Sequence, residues 1–123
     1  MSAELQERVG EWLRRTPSVR GTLVRGVRFA DGTFLCDFDS RDFPTVTLEE
    51  AWRMVTDTFQ VLAAHERSAA RLVWTYERAS LHSVCRPGDT VFGVFVSRTP
   101  GEVDLDALNR LMEDFQLLDL AQT

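Results

Sequence analysis

Lysine is missing from this chain: all fourteen basic residues are arginine. A lysine-free sequence has no phosphate-loop lysine, and no glycine-rich phosphate fingerprint appears in its place. The all-arginine composition reads first as coding bias, and second as a supply of planar forks suited to carboxylates. Histidine and cysteine each occur only twice. Cys36 and Cys85 have 48 residues between them and no C-x-x-C spacing. They are expected to be reduced core residues, neither a zinc framework nor a disulfide scaffold. No apolar run approaches the roughly 18 residues of a transmembrane helix. The opening residues, MSAELQERVGEW, lack the apolar core of a signal peptide. A cytoplasmic protein with no cofactor, no metal and no membrane insertion is the expectation. Its net charge of -5 argues against a nucleic-acid partner.

The 123 residues are enough for one domain with its own core, spanning 1–123. Leu5, Val9, Trp12 and Leu13 recur with helical spacing and predict an amphipathic helix over 3–15, ended by Pro17. Then the period changes. Segments 20–29 and 33–38 are β-rich and separated by Ala30-Asp31-Gly32, a strong hairpin signal. Leu23, Val27 and Phe29 are expected on one face of the first strand, and Phe34, Cys36 and Phe38 on one face of the second. Arg25 interrupts the first apolar face.

Residues 39–44 form a polar connection. Thr47-Leu48-Glu49-Glu50 matches a capping box, opening a helix from about 48 to 65. Its stripe of Leu48, Trp52, Val55, Phe59 and Leu62 is widened by Ala51, Met54 and Val61. That is more than half the circumference, so the helix is expected to contact two surfaces. Three strands follow, at 71–77, 80–86 and 90–97, joined by turns at Glu77–Ser80 and Arg86–Asp89. The last is apolar on both faces, as a covered central strand is. Asp104 is placed to cap a closing helix over 105–118.

Few residues look chemical. His82 and Cys85 lie three apart in a strand and so point to opposite faces, which excludes a nucleophile–base pair. The acidic run at 37–42 has Asp42 and Leu48 where a calcium loop needs glycine and glutamate. Asp39 and Asp42 are read instead as a possible partner-docking loop. Segment 71–77 has no proline and only Arg71 and Glu77 as charges. As an edge strand it would invite pairing with another chain.

The element order, the Asp31-Gly32 hairpin, the helix 48–65 and the stretch 71–98 leading into the helix 105–118 resemble the roadblock family. The chain departs from that pattern at Arg25 and Arg28. The resemblance implies an α/β (α+β) profilin-like fold, α-β-β-α-β-β-β-α, with five antiparallel strands covered by helices on both faces. It also implies a non-enzymatic homodimer joined through its third strands into one continuous sheet, with the central helices packed together. On that reading Leu72, Trp74 and Tyr76, with Trp52, Val55 and Phe59, form the dimer interface. A small Ras-like GTPase or another signalling protein is the expected partner. A secretion-type chaperone, with three strands before its central helix and two after, is one alternative. A ligand-sensing profilin-like domain is another.

Overall fold

In the computed structural model, which describes residues 2–36, 43–67 and 70–118, the Asp31-Gly32 turn closes the hairpin expected of it. Gly32 takes a φ of 89°, Phe29 and Thr33 are joined through their backbones, and the Asp31 carboxylate accepts from the Thr33 amide. The hairpin joins β1 (Thr22–Arg28) to β2 (Phe34–Cys36). Before it comes α1 (Ser2–Arg15), and after it α2 (Thr45–Ala64). Then follow β3 (Arg71–Thr75), β4 (Ala79–Arg86), β5 (Thr90–Ser97) and α3 (Leu105–Leu117). The five strands form one antiparallel sheet in the order β2-β1-β5-β4-β3. β5 is the central strand, as its apolar pattern predicted, and β3 is an edge.

Two cores lie on the two faces of the sheet. On one, α1 and α3 pack Val9, Leu13, Leu108, Leu111, Met112 and Phe115 over Val27, Phe29, Val84 and Phe92. On the other, α2 packs Leu48, Trp52, Val55 and Phe59 over Val24, Leu81, Val91 and Phe95. Two strands precede α2 and three follow it among the described residues. That count differs from the chaperone order.

Three local expectations are corrected. The Thr47–Glu50 capping box does not form. α2 begins three residues earlier, after Pro44, whose carbonyl accepts the first helical bond from Leu48. Thr47 therefore lies inside the first turn, and the Glu50 carboxylate takes Arg53 at 2.7 Å. Leu23 does not share a face with Val27 and Phe29. A register shift between Thr22 and Val24 turns it toward the α2 side, where it is 37% exposed. Leu105, expected on the apolar stripe of the closing helix, is 59% exposed in the first turn of α3; Asp104 caps that turn through the Ala107 amide, as expected. Phe38 lies outside the described residues.

Four further arginines use their forks on backbone carbonyls. Arg25 and Arg86 reach from the sheet to the last carbonyls of α1 and α3. Arg98 and Arg20 hold the carbonyls of two loops in the same way.

Candidate protein interaction surface

β3 pairs with β4 along one side, from Arg71 opposite Val84 to Thr75 opposite Ser80, and its other side has no strand beside it among the described residues. Alternation then sorts its side chains. Leu72 and Trp74 turn to the α2 face and pack, half-buried, against that core. Val73 turns to the α3 face and stays 50% exposed. Tyr76, just past the strand, leans its ring on Phe95 at 5.7 Å and keeps much of its surface in solvent.

Arg71 anchors the strand to its neighbours. Its guanidinium donates to Asn109 on α3 at 2.6 Å and to Nδ1 of His82 on β4 at 2.7 Å. As acceptor of that bond, Nδ1 carries no proton, so the neutral ring is protonated at Nε2. Burial, and then the Arg71 charge, hold the His82 pKa down at about 4. A histidine depressed below 6.5 in the folded state is more readily protonated in the unfolded chain. Its stabilising contribution is therefore present above about pH 6.5 and drains away as pH falls toward 4. Thermal unfolding is expected to show a smaller loss between pH 7 and 4.5 in His82→Asn than in the parent chain. Equal losses would remove His82 from the acid sensitivity.

The broad apolar arc of α2 is divided between two environments. Trp52, Val55 and Phe59, expected at a dimer interface, are 1%, 2% and 6% exposed inside the chain's own core. Trp52 also donates its indole N–H to the Gly26 carbonyl at 3.1 Å. The opposite flank carries Met54, Thr58 and Val61, with Met54 45% and Val61 57% exposed. Thr47 and Ala51, which begin this flank, line a cavity together with Tyr76 and Ala79, so the flank faces the β3 edge. The i, i+4, i+7 spacing of Met54, Thr58 and Val61 is legible in the sequence as a second stripe. Which stripe points inward is not.

The remaining candidates separate. His82 and Cys85 lie on opposite faces of β4, as expected, since Cys85 packs on the α2 core and His82 meets Arg71 on the other side. Burial, and then the nearby Asp89 charge, push the Cys85 thiol up to about 11, so it stays protonated. Neither Cys36 nor Cys85 forms a disulfide among the described residues. Among the described residues no three His, Cys, Asp or Glu side chains gather as a metal site. No described helix is long and apolar enough to cross a membrane. Asp39 and Asp42 lie outside the described residues.

No family model matches the chain, and no curated protein does. Solved structures do. A Roadblock/LC7 domain from Streptomyces avermitilis superposes with a TM-score of 0.60 at 14% identity, covering 85% of this chain and 84% of that one. Myxococcus xanthus MglB superposes at 0.54, also at 14% identity, over 76% of this chain and 83% of its own.

Proposed function

From the roadblock fold that these likenesses establish, we propose that the chain is a non-enzymatic homodimeric module that regulates or scaffolds a small Ras-like GTPase or another signalling partner. One observation carries the dimer: the open edge of β3 and the exposed apolar flank of α2 lie on the same side of the molecule. An unpaired edge next to exposed methionine and valine is a surface that a second chain can complete through both backbone bonds and apolar burial. A two-fold pairing of β3 centred on Val73 sets Leu72 against Trp74 of the second copy, and Arg71 against Thr75. No like charges then oppose each other. The interface so composed uses Leu72, Trp74, Tyr76, Met54 and Val61, with Trp52, Val55 and Phe59 supporting it from beneath.

The GTPase partner follows from the roadblock resemblance, which also supports the non-enzymatic assignment. The Asp39–Asp42 loop is retained as the candidate docking element, because its carboxylates suit an Arg-rich partner face.

Light scattering is expected to return twice 14.0 kDa for the parent chain at tens of micromolar. The double variant Met54→Arg/Val61→Arg is expected to return a single mass with an unchanged unfolding temperature, since both positions face solvent. A dimer surviving that double substitution would place the seam elsewhere. In capture from the host, reversing Asp39 and Asp42 to Arg is expected to lose the partner while leaving the dimer mass intact. Unchanged capture would remove the loop from the partner interface.

A further inference from the structure

The cavity beside the first turn of α2 has a volume of about 640 Å³, within the range of small-molecule sites. Its walls come from both faces of the recess, the sheet and α2 with its approach. The β1 bulge contributes Leu23, the approach to α2 contributes Phe43, the end of β3 contributes Tyr76, and β5 contributes Phe95. Phe43 and Tyr76 each stand within 6 Å of the Phe95 ring, giving the cavity an aromatic floor. Leu23 and Tyr76 belong to the large apolar side chains that folding leaves exposed, at 37% and 42%. Both line this one recess.

Polar groups gather on the wall and at the mouth. Arg78 lines the cavity, and its guanidinium has no partner among the described residues. Thr47 brings in the first turn of α2. That turn has no side-chain cap and no acidic residue, so its amide dipoles present uncompensated positive charge. Among the described residues, Glu77 is the one carboxylate in the lining. It is exposed beside Arg78 in the two-residue turn that Arg98 secures through the Tyr76 and Glu77 carbonyls. Among the described residues, one guanidinium and a helix N-terminus outweigh this solvated carboxylate. The chain's overall charge of -5 is screened beyond roughly 8–10 Å.

We propose that this cavity binds a small amphipathic carboxylate, with its apolar body against Leu23, Phe43 and Phe95 and its anionic end between Arg78 and the first turn of α2. The Tyr76 hydroxyl, unpartnered among the described residues, supplies a further donor at the mouth. The cavity adjoins the proposed dimer seam at Tyr76, so the assignment requires that the seam leave its mouth open. Charge and shape act together in it: the aromatic floor accepts any apolar chain, and the positive mouth selects those with an anionic end.

The full chain titrated with decanoate below its micelle concentration, followed by calorimetry, is expected to bind one equivalent saturably. Decyl glucoside and decyltrimethylammonium, with the same tail and a neutral or cationic head, are expected to bind at least about tenfold more weakly. Arg78→Ala, at an exposed position, is expected to weaken decanoate about tenfold while leaving the unfolding temperature unchanged. Ala51→Leu, which narrows the recess, is expected to weaken all decyl compounds alike. No saturable binding of decanoate overturns the proposal, as does equal binding of the glucoside, or an Arg78→Ala chain that binds as well as its parent. Decanoate binding only to the Met54→Arg/Val61→Arg chain would show that a second copy fills the cavity, and would also overturn it.

Discussion

Replacing Gly93 with alanine is expected to destabilise the domain by about 2–3 kcal/mol, although it adds a single methyl group. Gly93 lies in the middle of the central strand, opposite Gly26 of β1 and Ser83 of β4. A Cβ there would stand 2.8 Å from Trp52 Cζ2 and 3.1 Å from the Leu81 side chain. Trp52 has nowhere to go. Its indole N–H is bound to the Gly26 carbonyl, and its ring is held by Phe34 at 5.2 Å and Phe95 at 5.7 Å. Gly26 is equally closed, since a Cβ there would meet the Leu35 carbonyl at 2.8 Å. The two glycines floor a trough in the sheet into which the largest buried side chain of the core settles. Their requirement is space, not an unusual backbone angle.

Reduced unfolded-state entropy favours alanine by only about 0.4–1 kcal/mol and cannot offset such a clash. For a domain of this size the net loss corresponds to a fall in melting temperature on the order of 10 °C. Thermal unfolding of Gly93→Ala, Trp52→Leu and the double variant checks the mechanism. The double variant is expected to be less destabilised than the sum of the singles, because leucine vacates the space the new methyl needs. A neutral or stabilising Gly93→Ala would contradict the trough.

Arg25→Met is expected to cost about 3 kcal/mol, the second of the two largest effects. Arg25 is 3% exposed, yet it is a cation at the floor of the α1 and α3 core. Its guanidinium donates to the carbonyls of Leu13 at 2.8 Å, Thr16 at 2.6 Å and Pro17 at 3.3 Å. These carbonyls belong to the last turn of α1 and its exit loop, and that of Leu13 also accepts from the Thr16 amide at 3.3 Å. The positive charge also meets the negative end of the helix dipole. Methionine fills similar volume while removing all three bonds and the charge.

Lysine is expected to recover less than half of the loss, because one ammonium on a flexible stem cannot span three divergent carbonyls. Denaturant unfolding of Arg25→Met and Arg25→Lys tests this, and a lysine chain as stable as the parent would reduce the role of the fork to that of a point charge. Arg25 sits on the sheet face away from α2. Both variants are therefore expected to keep the mass of the parent chain while losing stability, which separates fold from assembly.

The arginines show where reading the chain in one dimension fails. Arg25 breaks an apolar stripe, and in the sequence it looks like a flaw in the strand. In the fold it is the C-terminal cap of a helix that precedes it by ten residues. Nothing local encodes that pairing, because the cap belongs to the sheet and the carbonyls to the helix laid over it. Gly26 likewise reads as a weak point in β1 until Trp52, 26 residues later, arrives above it. The capping box failed for a nearer reason. Pro44 sets the helix start three residues upstream, and Arg53 occupies the Glu50 carboxylate.

What the sequence by itself determined is the set of elements and their order. Periods of 3.6 and 2 mark the helices and strands, Asp31-Gly32 and Pro87-Gly88-Asp89 mark the turns, and Asp104 marks the start of the closing helix. Those signals act over a few residues, so they survive being read without a structure. The run of apolar residues on both faces of 90–97 was enough to place that strand at the centre, while the chain order suggested 71–77 at the edge. Only the tertiary structure decided which half of the α2 arc is core and which half stays exposed. Trp52, Val55 and Phe59 went inward because two facing glycines make room for an indole there. Met54 and Val61 were left outside, beside the open edge. Burial is settled by what an element packs against, and that partner is distant in the chain.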